Sequence, residues 1–376
     1  MAERVPAIDF VDLRTQQARV KSVLNARIAE VLARGDFVLG REVGELERAL
    51  EKYTGAKHCV TVANGTDALI LGLLALGVGP GDEVITTPFS FAATVEAILW
   101  CGATPVFADI EPQTYNLNPT LVEQNISKRT KAILAVSLYG RCADFEALNE
   151  IAAKHGIAVI EDAAQSFGAT TARGHSCALT KLACTSFYPS KPLGCYGDGG
   201  ACFSDDDDIA EVLRQLRDHG QTGRYEHTRL GKNSRLDTIQ AAVLLTKLEI
   251  FDDELEARRR VAEQYHNALA GAVGVADGGE VFRSAHAQFP IETNERDRLA
   301  RFLTERGVPT SVHYPRVLYQ QAAFAGAVGT GCVHAEAAAA RILCLPMHPY
   351  LSDQEIEHIA DSICEFAHAQ MRQVSG

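Results

Sequence analysis

A lysine in an apolar, glycine-rich stretch is the strongest candidate nucleophile in this sequence. Lys191 lies within Ser190-Lys191-Pro192-Leu193-Gly194. Burial lowers the pKa of a lysine, which makes the amine nucleophilic and able to form a Schiff base with an aldehyde. Because a lone loop lysine more often points to solvent, this interpretation depends on the residues that accompany Lys191.

Two acidic residues follow a predicted buried strand. Glu161 and Asp162 come directly after Ala158-Val159-Ile160, and a buried carboxylate without a partner is costly. A cationic ring nitrogen is one such partner, since an aspartate that keeps a pyridinium protonated is what pyridoxal phosphate needs to act as an electron sink. A helix cap or a buried ion pair would explain the carboxylates equally well.

A turn of small residues could bind a phosphate. Asn64-Gly65-Thr66-Asp67 follows the predicted strand Cys59–Val62 and opens a helix. Backbone N–H groups and the positive end of the helix dipole attract a phosphate there, and the Thr66 hydroxyl adds a donor. An ordinary helix cap uses the same residues. The joint occurrence of this turn with Asp162 and Lys191 favours the catalytic interpretation of the lysine.

Alternating strands and helices must position these residues. From His58 onward, short β-rich runs alternate with helical segments, which predicts a mainly parallel sheet between helices. Ligands bind beyond the carboxyl ends of such strands. The last two runs are joined without room for a helix, which predicts one antiparallel strand. The predicted strands are Cys59–Val62, Glu83–Thr86, Pro105–Phe107, Ala132–Val136, Ala158–Ile160, Cys184–Tyr188 and Gly200–Phe203.

The length of 376 residues predicts two domains. The N-terminal helical pattern is carried by Val20, Leu24, Ile28 and Leu32, and a long helical stretch covers Leu236–Leu269. We place the boundary near Phe251 in that stretch. Residues 1–250 then form a large domain with N-terminal helices, and residues 251–376 form a small α+β domain.

Composition excludes several classes of function. A formal net charge of −12 disfavours nucleic acid as a partner. No apolar run is long enough for a signal peptide or a membrane span, so we expect a cytoplasmic protein without membrane attachment. The ten cysteines are scattered without zinc spacing, which predicts buried free thiols and no metal.

The sequence resembles the DegT-type sugar aminotransferases, which have the aspartate-aminotransferase fold, over nearly its whole length. This resemblance implies an α/β fold of type I, with a mixed, mainly parallel sheet between helices in the large domain, and pyridoxal 5'-phosphate as cofactor. The matching motifs are Asn64–Leu69, Thr87–Phe91, Glu161–Ser166, Ser186–Gly200 and His313-Tyr314-Pro315.

The resemblance also implies a role for each matching residue. Lys191 would form the Schiff base with the cofactor and later move a proton, and Asp162 would pair with the pyridinium nitrogen. Asn233 would reach the phosphate of a neighbouring subunit, which implies a homodimer with shared sites. The other implied cofactor contacts are Gly65, Thr66 and Ser186 to the phosphate, Gln165 to the ring hydroxyl and Phe89 stacked on the ring.

A narrower resemblance concerns the substrate. The segments Val136–Gly140, Ser190–Gly200 and Leu236–Ala242 are similar to those of enzymes that aminate UDP-linked 2-acetamido-3-keto-glucuronic acid. Those enzymes take the amino group from L-glutamate and supply sugars for bacterial O-antigen. The open alternatives are a 4-keto deoxyhexose on UDP or dTDP, and a non-catalytic protein that binds a sugar nucleotide.

Three residues are candidate substrate contacts. Arg235 could grip a carboxylate in bidentate fashion, whether on the uronate or on glutamate. A salt bridge at a subunit interface is its alternative explanation. His313 and Tyr314 are placed as substrate contacts by the resemblance, and their alternative is a core histidine beside a structural tyrosine.

Overall fold

The protein is described here from a computed structural model that covers residues 8–275, 283–324, 327–329 and 331–374, with side chains described as far as residue 370.

Fourteen strands are present in the described residues, and seven of them form the central sheet. In chain order they are β1 (His58–Val62), β2 (Glu83–Thr86), β3 (Thr104–Phe107), β4 (Thr130–Val136), β5 (Ala158–Asp162), β6 (Thr170–Thr171), β7 (Gly174–His175), β8 (Leu182–Ser186), β9 (Gly200–Ser204), β10 (Gln221–Gly223), β11 (Glu226–His227), β12 (Gly274–Val275), β13 (Phe289–Glu292) and β14 (Ile342–Leu345). The order in the central sheet is β1-β9-β8-β5-β4-β2-β3.

Twelve α-helices accompany the strands in the described ranges. They are α1 (Leu13–Arg34), α2 (Arg41–Thr54), α3 (Gly65–Ala75), α4 (Ala92–Trp100), α5 (Pro119–Gln124), α6 (Phe145–His155), α7 (Asp207–Leu216), α8 (Thr238–Leu248), α9 (Phe251–Leu269), α10 (Arg296–Glu305), α11 (Val333–Arg341) and α12 (Asp353–Val374). Local sequence sets many of their ends. Asn64 and Asp144 cap the N-termini of α3 and α6 with their side chains, and left-handed Gly35 and Gly55 end α1 and α2.

The pairing of the central sheet confirms the predicted mixed architecture. β3, β2, β4, β5 and β8 pair in parallel, and β9 pairs antiparallel with both β8 and β1. Two antiparallel steps give β1 the same direction as β8. The carboxyl ends of β1, β5 and β8 therefore lie at one edge of the sheet, where parallel sheets bind ligands.

Both faces of the central sheet are buried, because its strands alternate their side chains between two cores. In β4, Ile133 and Ala135 belong to one core cluster, whereas Ala132 and Leu134 belong to another. A further cluster joins α9, α10 and α12 to the three-stranded sheet β12-β13-β14. The division at residue 250 remains a prediction.

Two helical details differ from the sequence-based prediction. In α1, Val31 is fully buried and Leu32 is exposed, because residues spaced by four drift around a helix of 3.6 residues per turn. The predicted stretch Leu236–Leu269 is two helices, because the chain departs from helical dihedral angles at Ile250, between α8 and α9.

Within the described residues, no helix is both long and apolar enough to cross a membrane. The same part of the chain holds no group of three His, Cys, Asp or Glu residues that could bind a metal ion, and the expectation of a metal-free protein stays an expectation. All ten cysteines are free thiols; nine are buried and Cys364 is half-buried.

Candidate active site

The turn after β1 contacts the end of β8. The Asn64 side chain accepts a hydrogen bond from the Asp67 N–H at 2.8 Å and so starts α3. Helix geometry leaves the N–H groups of Gly65 and Thr66 without an intrahelical acceptor. A Cβ added at Gly65 would lie 2.6 Å from the Ser186 Cβ. Only glycine therefore allows the turn and the Ser186 hydroxyl to approach one another, as a phosphate cradle requires.

Asp162 ends β5 and is buried at the same edge of the sheet. Its carboxylate accepts hydrogen bonds from the Thr94 hydroxyl at 2.9 Å and from the Ala164 N–H at 3.2 Å. Burial raises the pKa of Asp162, although both hydrogen bonds and the positive charge of Lys191 act to lower it. Two donors leave part of the acceptor capacity of a carboxylate unused.

Glu161, the residue before Asp162, has more hydrogen-bond donors than Asp162 does. Its fully buried carboxylate accepts from the Ser137, Ser166 and Ser176 hydroxyls and from the Cys177 N–H, at 2.7 to 3.1 Å. Adjacent strand residues point to opposite faces. Glu161 is thus satisfied by neutral donors on one face, whereas Asp162 retains unpaired acceptor capacity on the other.

Lys191 lies in the loop that follows β8 and interacts electrostatically with Asp162. Burial lowers the pKa of the Lys191 amine, and the Asp162 carboxylate raises it. The charges of the two side chains therefore act on each other. A lowered pKa favours the neutral form of the amine, which is the form that a nucleophile or a base requires.

Gln165 and Tyr314 meet beside this pair. The Gln165 amide donates to the Tyr314 hydroxyl at 3.3 Å and accepts from the Tyr139 N–H at 2.6 Å. The pKa of Tyr314 is raised by burial and by the negative charge of Asp162. Tyr139, which lies in the matching segment Val136–Gly140 but has no role assigned from the sequence, also donates from its hydroxyl to the His313 carbonyl.

His313 is held between Ser311 and the candidate site. Its Nε2 lies 3.0 Å from the Ser311 hydroxyl, and its Nδ1 is buried with no hydrogen-bond partner among the described residues. Burial and the nearby Lys191 charge lower the pKa of His313. The lowered pKa favours the neutral imidazole, and Nδ1 is the nitrogen available to a ligand.

Two phenylalanine rings lie beside Tyr314, Phe89 at 6.5 Å and Phe91 at 6.1 Å between ring centroids, and they differ in exposure. Phe89 is 0% exposed and packs with Tyr115, at 6.2 Å between ring centroids. Phe91 precedes α4, is 59% exposed and lies 6.1 Å from the Tyr314 ring. A stacking ring must present a face to the ligand, so burial disfavours the role predicted for Phe89. The signal for Phe91 is its position three residues before Thr94, which binds Asp162.

In the described residues, neither Asn233 nor Arg235 contacts Lys191. Asn233 is exposed and pairs through its backbone with Asp218. The Arg235 guanidinium donates to the Asp218 carboxylate of the same chain at 2.6 Å. Between them, the Ser234 hydroxyl accepts from the Ala63 N–H at 3.3 Å, which places this segment beside the phosphate turn.

The described residues fit the cofactor that the resemblance implies. The Gly65 turn has no room for a Cβ and offers N–H groups to a phosphate. Asp162 has a carboxylate with unused acceptor capacity, which suits a protonated ring nitrogen, and Lys191 has an amine of lowered pKa, which suits an aldehyde.

The coupling between Lys191 and Asp162 gives a prediction for the cofactor-free protein. Replacing Asp162 by asparagine removes the charge that raises the Lys191 pKa, so this pKa falls further and a larger fraction of the amine is neutral at pH 7. We expect faster acylation of Lys191 by a small reagent, with a pH midpoint displaced downward, measured by peptide mass spectrometry.

Asp218→Asn is the control, because Asp218 pairs with Arg235 and does not act on Lys191. A Lys191 titration midpoint that stays the same or rises in Asp162→Asn would contradict the coupling.

Comparison with known proteins agrees with this geometry. A model of the DegT/DnrJ/EryC1/StrS aminotransferase family matches residues 19–364. The UDP-2-acetamido-2-deoxy-3-oxo-D-glucuronate aminotransferase of Pseudomonas aeruginosa is 52% identical over 358 residues, which cover 95% of this chain and 99% of that relative.

Two solved structures extend the comparison. A DegT DnrJ EryC1 StrS aminotransferase from Brucella abortus has a TM-score of 0.94 at 44% identity, covering 96% of this chain and 99% of its own. NtdA from Bacillus subtilis, solved with bound PMP, has a TM-score of 0.92 at 29% identity, covering 98% and 86%. The predicted fold and cofactor are thereby confirmed. The chain belongs to the DegT/DnrJ/EryC1/StrS aminotransferase family and is a pyridoxal-phosphate-dependent sugar aminotransferase.

Proposed function

We propose that this protein transfers an amino group from L-glutamate to UDP-2-acetamido-2-deoxy-3-oxo-glucuronic acid. The similarity to the Pseudomonas aeruginosa enzyme, over nearly all of both chains, supports this choice of sugar. The coupled pair of Asp162 and Lys191 is the structural observation that carries the chemistry. In this proposal the enzyme is cytoplasmic and supplies an amino sugar for bacterial O-antigen.

Lys191 is the catalytic residue of this proposal. When bound, pyridoxal phosphate supplies an electron sink that makes the hydrogen on the carbon beside the transferred nitrogen acidic. The neutral Lys191 amine would remove this proton and deliver it to the cofactor carbon on the other side of the transferred nitrogen, and the lowered pKa of Lys191 favours this neutral form. Asp162 stabilises the positive charge of the ring nitrogen, and Gly65, Thr66 and Ser186 bind the phosphate.

Substrate recognition falls to residues around this pair. His313 offers its unpartnered Nδ1, and Tyr314 offers a hydroxyl that already accepts from Gln165. Arg235 binds the uronate carboxylate, either by giving up its hydrogen bond to Asp218 or by donating to both carboxylates at once. In the proposed division, residues 1–250 bind the cofactor and residues 251–376 contribute His313 and Tyr314.

The active unit in this proposal is a homodimer. Asn233 is exposed in a single chain, and its amide would bind the cofactor phosphate of the partner subunit. Two copies related by a twofold axis would then complete two equivalent sites.

An absorbance experiment tests the proposed reaction. Purified protein with pyridoxal phosphate should show a visible band that glutamate bleaches and that the UDP-linked 3-keto uronate restores. Lys191→Ala should lose this cycle, because no amine remains to move the proton.

The control substrates are 4-keto deoxyhexoses on UDP and dTDP. If the band recovers with these sugars and not with the 3-keto uronate, the substrate is a 4-keto deoxyhexose instead of the proposed uronate. A protein that binds no pyridoxal phosphate, or that glutamate leaves unchanged, would contradict the aminotransferase reaction itself.

Arg235→Ala tests the carboxylate contact. We expect kcat/KM for the uronate sugar to fall about 10- to 100-fold, as for the loss of a charged hydrogen bond. Asp218→Asn is the matched control, because it breaks the same ion pair but keeps the guanidinium.

Equal losses in both variants, or unchanged kinetics with the sugar and with glutamate, would return Arg235 to a structural role. A loss confined to the glutamate half-reaction would transfer the contact from the uronate to the amino donor.

Mixed dimers test the shared sites. Homodimers of Lys191→Ala and homodimers of Asn233→Ala are each expected to have low transaminase activity. If Asn233 acts in the partner's site, mixing and reassociating the two variants should restore about a quarter of the wild-type activity, because half of the dimers are mixed and each contains one intact site.

The mass of the dimers verifies that the two variants have mixed. If such mixed dimers recover no activity, Asn233 acts within its own chain or has no role in the site. Lys191→Ala mixed with itself provides the baseline.

A further inference from the structure

A buried lysine, Lys247, lies behind the loop that carries the half-buried Lys191. Lys247 is near the end of α8 and is 1% exposed. Its Nζ donates a hydrogen bond of 2.7 Å to the carbonyl oxygen of Gly194, three residues beyond Lys191. The same ammonium lies 4.4 Å from the centre of the Tyr196 ring, within the range of a cation–π interaction.

A second residue of α8 holds the same loop. The Gln240 side chain accepts from the Tyr196 N–H at 2.8 Å and donates to the Tyr196 carbonyl at 3.1 Å. Gln240 and Lys247 are seven residues apart, which is two turns of a helix, so they lie on one face of α8. This face binds the main chain of the loop at Gly194 and at Tyr196.

The loop itself is tightly folded on the end of β8. The Lys191 N–H donates to the Tyr188 carbonyl at 2.9 Å, and the Cys195 N–H donates to the Phe187 carbonyl at 2.8 Å. A Cβ at Gly194 would lie 2.5 Å from the Pro189 oxygen. The main chain at Lys191 therefore has two anchors, which are β8 before it and α8 after it.

The charge state of Lys247 fits this anchoring. Burial lowers the pKa of Lys247 to about 8, while the nearby Glu254 carboxylate and Cys195 raise it. The amine is thus still largely protonated at neutral pH and meets the Gly194 carbonyl as a charged donor. A charged donor gives a stronger hydrogen bond than a neutral one.

We propose that Lys247, together with Gln240, is a positioning residue that fixes the main chain of the Lys191 loop so that the Lys191 amine meets the reacting carbon. Displacements of about 1 Å in a catalytic group cost up to about 100-fold in rate. This inference rests on the proposed catalytic role of Lys191. It assigns α8 a function in catalysis through the loop rather than through contact with substrate.

The test compares three variants. Lys247→Met removes the donor at nearly constant volume, and Gln240→Ala removes both hydrogen bonds to Tyr196 from a half-buried position. Thr246→Val is the matched control, because Thr246 is also buried in α8 but its hydroxyl bonds only the Ala242 carbonyl of the same helix.

The first measurement is amide hydrogen exchange in the cofactor-free protein. We expect the Lys191, Cys195 and Tyr196 amides to exchange about tenfold faster in Lys247→Met and Gln240→Ala, as for the loss of an anchoring hydrogen bond. The second measurement is the glutamate half-reaction. Its rate constant at saturation should fall about tenfold or more, with little change in the glutamate concentration at half-saturation.

Thr246→Val should leave both measurements at wild-type values. Exchange and rate that are unchanged in Lys247→Met, or a looser loop with an unchanged rate, would overturn the proposal. Should Lys247→Met not fold, Gln240→Ala decides by the same two outcomes. If Lys191→Ala retains transamination, the proposed function fails, whereas the exchange result still reports whether α8 anchors the loop.

Discussion

Two adjacent carboxylates buried at the end of β5 impose the constraint on which the site depends. Glu161 accepts hydrogen bonds from four neutral donors in three separate segments, which ties the end of β4, the turn after β5 and the segment after β7 together around it. Asp162 receives only two donors and couples to Lys191. The difference leaves unused acceptor capacity of Asp162 on the ligand side of the sheet, where a cationic ring nitrogen would offset the burial of this carboxylate.

Lys191 and Lys247 differ in the groups that hold their amines. Lys191 has no hydrogen-bond acceptor to hold its amine in the described contacts, and only the Asp162 charge opposes the effect of burial on its pKa. Lys247 has a carbonyl acceptor and an aromatic face. The first amine is free to react, whereas the second is held. Lys191 lies in the loop between β8 and β9, and Lys247 on α8 binds the main chain of that loop. In our proposal the reactivity of Lys191 therefore depends on the packing of α8 against the loop.

Much of this arrangement could be predicted from the sequence, because local periodicity fixes strands and helices. The bounds of β2 agree with the predicted run Glu83–Thr86, and the antiparallel β9 follows from a connection too short for a helix. Lys191, Asp162 and the Gly65 turn could be identified because each follows a strand end, and parallel strands bring these ends to one edge. The resemblance to sugar aminotransferases rests on the same segments.

The sequence by itself determined the order of elements and the types of the reacting groups, since both depend on neighbours along the chain. Only the tertiary structure decided which of two nearby phenylalanines is exposed, that Arg235 pairs with Asp218, and that Lys247 anchors the Gly194 carbonyl. These contacts join residues up to 53 positions apart. Burial and pairing at that separation depend on how helices pack on the sheet, and no local periodicity records this packing.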